Sequence, residues 1–366
     1  MHHLIKTFKY LTLCVVLAGL AVACQQSSPV SEAPVSDPNP PVQTTQNLNV
    51  MTTIFPVYDI SKQIIGDKGT VELIMAPGNS PHTFEARPSD IIKLNDADVI
   101  FAIGQELDNW IIAMAKETSA EVITVDTNID LIANEDEHDD HDEHEKDGDH
   151  DGHDDHDEHE KDGDHDGHDD HDEHEKDGDH DGHDDHDGHD DHEGHGHGEY
   201  DPHYWLSAEN GKIMANNIAN TIITMDPDNS AYYQANLAAF EASMDEVSQQ
   251  IVELATPIAS LPFIPLHDAW YYYSAEFGLN LVDNFFPRGG HESTPQHLAE
   301  LTEKVENLGI TAIFSEIGLD VSSVQGFAND NDVSIGVLDP LGGSPGMETY
   351  QDFLLENMSR ISNSIK

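Results

Sequence analysis

The sequence predicts an α/β protein of two lobes bridged by one long helix. Three observations carry this. Short apolar runs alternate with helical stretches at βα spacing, over 48–126 and again from 263 onward. Between these halves, residues 230–255 are rich in Ala, Glu, Gln and Met and contain no Gly or Pro, which predicts one uninterrupted helix. Setting aside a 65-residue acidic stretch, 135–199, leaves 301 of the 366 residues, enough for two cores.

The elements follow in order. Residues 50–54 (VMTTI) read as a strand and 57–65 as a helix; 71–75 (VELIM) form a second strand. Pro88 opens a helix to 95, as proline suits a first turn. Strand 99–103 ends at Gly104, 107–117 is helical, and 121–126 is a fourth strand. After the acidic stretch, 208–225 and 230–255 are helices. The βα pattern resumes with strand 263–266, helix 271–277, strand 279–282 and helix 295–307, which Thr294 caps. Strands at 311–315 and 333–338 and a helix over 347–365 complete the chain. Strand order is not readable from these runs.

The N-terminus reads as an address. Lys6 and Lys9 precede an apolar run from 10 to 23, too short to span a membrane and of the length of a secretory signal. The run ends Leu-Ala-Val-Ala before Cys24, a pattern like the lipobox of bacterial lipoproteins, so Cys24 is the expected lipidated residue and 1–24 the signal. Residues 25–47, rich in Gln, Ser, Pro and Thr, suit a disordered tether. The only cysteines are Cys14 and Cys24, which excludes a disulfide framework or a cysteine zinc site in the body.

The net charge of −57 is unevenly placed: 135–199 holds 34 acids, 3 lysines and 18 of the 25 histidines. Outside it, 38 acids face 12 bases, which excludes the basic surface that a nucleic-acid backbone requires. Inside it, DDHDEHEKDGDHDGH occurs three times without change, at 139–153, 154–168 and 169–183. A repeat with no apolar residue has nothing to bury by stacking, so disorder is the expectation. Its imidazoles and carboxylates suit many weak metal ions, zinc among them, in a collecting or buffering role.

Five histidines remain for the body past the N-terminus. His82, in PGNSPH, and His267, after strand 263–266, lie at or soon after strand C-termini in different lobes, where open α/β sheets place ligands. His203 lies in DPHYWL, ahead of the helix at 208–225. Neutral imidazole is the commonest zinc ligand, so these three are the candidate metal ligands, with Asp339 of LDPLGG as a possible fourth. His291 and His297 lack that context. Three histidines with an open position could also activate water in a zinc hydrolase, with Glu292 or Glu316 as base, but no HExxH motif is present.

The motifs SPHTFEARPSD, DPHYWLS, HDAWYYYSAEFGL and LDPLGG, from about residue 48 onward, resemble those of the metal-binding substrate-binding proteins of bacterial ABC importers, in particular the zinc-uptake (ZnuA) type. The resemblance implies two Rossmann-like (β/α) lobes, 48–229 and 257–366, a rigid linking helix at 230–256, and metal in the cleft. It implies a non-enzymatic, monomeric receptor outside the cytoplasmic membrane that hands Zn²⁺ to a permease with its ATPase subunits. His82, His203 and His267 carry over as ligands. Manganese and iron relatives commonly have Glu at the third position, where this chain has His267; a manganese or iron receptor of the same fold is the alternative. Asp339 matches the fourth position, which zinc-type members can leave to water. Where some zinc-type members have Glu before the first histidine, this chain has Pro81.

Overall fold

The computed structural model describes residues 47–116, 118–134, 198–286, 293–318 and 322–365. The expected signal with Cys24, the tether up to 46, the repeats, His291 and Glu292 lie outside the described residues.

The first lobe is a four-stranded parallel sheet of β1 (Leu48–Thr52), β2 (Gly69–Leu73), β3 (Val99–Ala102) and β4 (Glu121–Thr124), in the order β2-β1-β3-β4. Burial follows position: β3 is buried at every residue, whereas β2 and β4, at the edges, are partly exposed throughout. A strand covered on both faces has to be apolar at every position, and VIFA meets that. Its helices are α1 (Phe55–Ile65), α2 (Pro88–Leu94) and α3 (Asn109–Ala115). α3 starts later than the sequence predicts, because Gly104, Gln105 and Glu106 all take positive φ. The Asp108 carboxylate braces that turn, accepting from the N–H groups of Ile103 at 2.8 Å and Gly104 at 2.9 Å and from the Thr53 hydroxyl at 2.7 Å.

α4 (Ala208–Met225) and α5 (Ser230–Ala255) follow, with the predicted bounds. The second lobe repeats the plan with β5 (Pro262–Pro265), β6 (Asn280–Leu281), β7 (Ala312–Glu316) and β8 (Ser334–Leu338), all parallel, in the order β6-β5-β7-β8. Its helices are α6 (Tyr271–Phe277), α7 (Pro295–Leu308), α8 (Ser322–Asp330) and α9 (Tyr350–Ser364). Thr294 caps α7 as expected, accepting from His297 N–H at 3.1 Å. α8 is an element that the sequence pattern did not announce.

α5 packs against α1, α4 and α9, and so against both lobes. One continuous core runs from Ile60 and Ile64 of α1 through Phe240 and Met244 of α5 to Phe353 and Met358 of α9. Two smaller cores line the far faces of the two sheets. Polar ties reinforce the seam. Tyr350 N–H donates to Asp59 at 2.8 Å, and Gln351 donates to Gln63 at 3.1 Å and to the Ser243 hydroxyl at 2.7 Å. No helix among the described residues is long and apolar enough to cross a membrane.

Candidate metal centre

Both sheets point their C-terminal strand ends at one cleft. From the first lobe, the chain leaving β2 runs through Ser80 in extended conformation, as a residue before proline must, and Pro81 starts a single 3-10 turn that carries His82. His203 stands just ahead of the turn Tyr204–Leu206, in front of α4. From the second lobe, His267 follows β5 by two residues and precedes the turn Asp268–Trp270.

The three rings meet. Their donor nitrogens all lie within 4.8 Å of one another, and among the described residues this is the group of side chains placed to hold a metal ion. The His82 and His203 Nε2 atoms are 3.3 Å apart. Two nitrogens at ~2.0–2.1 Å from a tetrahedral zinc stand roughly 3.3–3.4 Å apart, so this pair has that spacing and His267 needs only a small approach. Ring centroids are 5.4 Å apart for His82–His203, 5.3 Å for His82–His267 and 4.8 Å for His203–His267.

Carboxylates stand behind two of the rings. Asp201 Oδ1 lies 2.7 Å from His203 Nδ1 and also accepts the His203 backbone N–H at 2.9 Å. The proton therefore sits on Nδ1 and the Nε2 lone pair faces the cluster. Glu316, at the end of β7, lies 3.3 Å from His267 Nδ1 and accepts from Trp270 Nε1 at 3.0 Å. Asp268 lies 3.4 Å from His267 Nε2. Burial alone lowers the His267 pKa, but the charges of Glu316, Asp268 and Asp201 outweigh it and hold the imidazole up at about 9. Buried Trp205 and Trp270 floor the site; the first lies 5.1 Å from the His203 ring and donates to Pro340 O at 2.7 Å.

The structure thus brings together His82, His203 and His267, and it does not bring in Asp339. That carboxylate is turned into its own loop: Oδ1 accepts from Leu341 N–H at 3.0 Å and Gly342 N–H at 2.8 Å, and Oδ2 from the Ser344 hydroxyl at 2.8 Å. The loop folds tightly so that Gly343, at φ +77°, can press on the first lobe, where a Cβ would come 2.8 Å from the Phe55 ring and 2.9 Å from Pro77. His297 lies apart, its Nε2 3.0 Å from Asn284 O. Glu316, considered from sequence only as a base, is instead the partner of His267. Asp201 was missed; the signal was its spacing, since an acid two residues before a histidine can bond back to that ring.

Two parallel-sheet lobes on a shared long helix, with histidines gathered between the strand ends, define a solute-binding protein fold. The crystal structure of a ZnuA has the same fold, with TM-score 0.65 at 21% identity over 87% of this chain and 98% of that one. The chain belongs to the ZnuA family, zinc-uptake complex component A, periplasmic, whose family model matches residues 50–364. The high-affinity zinc uptake system protein ZnuA of Brucella abortus (strain 2308) is 30% identical over 169 residues, 46% of this chain and 50% of that one. This chain therefore matches about half the length of that relative. The protein of the same name from Yersinia pestis is 26% identical over 319 residues, 86% of this chain and 89% of that one.

Proposed function

We propose that this protein is a zinc receptor acting outside the cytoplasmic membrane, which captures Zn²⁺ on His82, His203 and His267 and delivers it to an ABC permease driven by its ATPase. The observation that carries this is the convergence of three imidazoles from two lobes, one locked by Asp201 in the tautomer that presents Nε2. An all-nitrogen set suits zinc better than manganese, which favours carboxylate and water oxygens. Three protein donors leave one position of a tetrahedral ion open, which suits cargo that has to leave again. Family membership supports the same reading. Asp339 shapes the loop that closes on the first lobe and is not a ligand. Lipidation at Cys24 would hold a monomer at the membrane face, and the His-rich stretch would gather zinc near the cleft. The site binds and releases; it is not catalytic.

The test is a competition titration of the full chain against a strong zinc chelator. His82→Ala, His203→Ala and His267→Ala should each weaken the tight site by more than the roughly 10–100-fold that loss of an outer hydrogen-bond partner costs. His297→Ala should leave it unchanged, and Asp339→Ala should act only weakly. Tight zinc retained by His267→Ala, or manganese held more tightly than zinc, would sink the proposal.

A further inference from the structure

The acidic stretch leaves and rejoins the fold through a short stem. Ala133 and Tyr200 form an antiparallel bridge, Asn134 N–H donates to Glu199 O at 3.0 Å, and Asp201 N–H donates to Ile132 O at 2.8 Å. The Asn134 side chain closes the outer end, donating to Gly198 O at 2.7 Å. The inner end is closed from the other lobe. Tyr272, on α6 and 5% exposed, accepts Ile132 N–H at 2.8 Å and donates to Asp201 O at 3.0 Å. One hydroxyl thus joins both legs of the stem.

Tyr272 is linked to two of the candidate ligands. On one side, Asp201, whose carbonyl it holds, sets the ring of His203 through Nδ1 at 2.7 Å. On the other, α6 starts directly after the turn that follows His267. A tyrosine has two side-chain torsions and a rigid ring, so it transmits position with little slack. Imidazole donors have to be held to about half an ångström for a metal site to keep its geometry.

We propose that Tyr272 is a positioning residue for zinc: its hydroxyl fixes His203 relative to His267 across the cleft and keeps movement of the stem from reaching the site. The inference rests on the reading of His203 and His267 as ligands. Without the hydroxyl, Ile132 N–H and Asp201 O lose their shared partner, the stem opens at its inner end, and Asp201 no longer holds the His203 ring in place. Zinc then leaves faster although every ligand is present.

The test uses the full chain. Protein loaded with one equivalent of zinc is mixed with excess chelator, and the slow phase of transfer reports the tight site. In parallel, the visible absorption bands of one equivalent of cobalt(II) report ligand geometry. Tyr272→Phe should speed the slow phase by roughly tenfold or more, in the range of other outer hydrogen-bond losses at metal sites, and should alter the cobalt bands. Tyr273→Phe removes the same atom from the next residue of α6, where the hydroxyl donates to Leu354 O at 2.8 Å, and should change neither. If Tyr272→Phe behaves as the parent, or both variants speed release equally, the inference is overturned. His203→Ala separates the two readings: loss of its slow phase with an unchanged Tyr272→Phe removes only the role of Tyr272, whereas a slow phase surviving in His203→Ala removes the ligand assignment itself. Should Tyr272→Phe not fold, Asn134→Ala opens the stem at its outer end with the Tyr272 hydroxyl still in place and should leave the release rate unchanged; faster release in that variant overturns the inference.

Discussion

At the residue scale, His267 is the group on which proton and metal compete most directly. Its pKa in the metal-free fold, about 9, stands above the ~6.5 of an unstructured histidine. A raised histidine pKa contributes stability that is full below the unfolded value and is lost as pH rises through the folded one. Metal-free protein should therefore lose up to about 3 kcal/mol from this group between pH 6.5 and 9. For zinc the consequence is opposite in sign: the ion has to displace the proton, so its affinity should climb over the same window. Calorimetric titration at pH 7.5, in buffers of different ionisation enthalpy, should show about one proton released by His267 with the first equivalent. Glu316→Gln removes the main charge holding that proton and should reduce the release; an unchanged count would show that Glu316 does not set the proton affinity. The three histidines were legible because local sequence marks where a strand ends or a helix begins. Glu316 and Asp339 were harder to assign, since each lies at or just beyond a strand end and only packing decides which faces the cleft. Glu316 is held there by Trp270, while Asp339 is consumed by its own loop.

At the element scale, the site rests on a junction where α4 and α9 touch through Gly211 and Tyr350. A Cβ on Gly211 would stand 2.5 Å from the Tyr350 ring and 2.6 Å from its hydroxyl. Tyr350 cannot retreat, because its hydroxyl donates to the carbonyls of Trp205 and Ser207 and its N–H to Asp59. Alanine is worth about 1 kcal/mol more than glycine within a helix. Overpacking costs about 1–3 kcal/mol, and each hydrogen bond displaced about 1 kcal/mol more. The balance predicts that Gly211→Ala destabilises the protein by about 1–3 kcal/mol, read as a lower urea midpoint. A midpoint at or above the parent's would mean that Tyr350 has room to move. Both helices at that junction were legible as helices, α4 with its bounds, whereas α9 starts three residues later than the sequence predicts, at Tyr350, where Thr349 caps it by accepting from Asp352 N–H at 3.1 Å. α8 was not legible. Val324, Phe327 and Ala328 supply only three apolar contacts at helical spacing, and Gly326 with flanking Ser, Asn and Asp residues weakens the propensity. Its helix follows from packing onto the second lobe's sheet.

At the scale of the whole molecule, the order of the strands was hidden because all eight strands of the described residues are short, two to five residues each, and none carries a pattern that marks its neighbours. What the sequence did announce was the strut, and the structure adds what braces it. α5 has 26 residues, roughly 39 Å at 1.5 Å per residue, without a kink-forming Gly or Pro. It is tied to the first lobe by Asn236, donating to Ile64 O at 2.9 Å, and to the second by Ser243, accepting from Gln351. The cleft mouth is in contact as well, since a Cβ on Gly318 would lie 3.1 Å from Gly78 O. A wide hinge closure has to break the Asp59–Tyr350 and Gln63–Gln351 ties and slide apolar α1 and α9 surface over α5, whereas ordering of the loops around His82 and His267 breaks none of these. The favoured response to zinc is thus a local tightening with little rotation of the lobes, and under the proposed function a permease would have to read loop order at the cleft mouth. Small-angle scattering tests this on a variant lacking residues 135–197, which keeps the stem at Gly198–Tyr200 intact. For some 300 residues the radius of gyration is roughly 19 Å, and zinc should change it by less than about 1 Å. A contraction of several ångströms requires a hinge that works against the α1–α5–α9 seam, and the strut would then have to bend or slide where no residue provides for it.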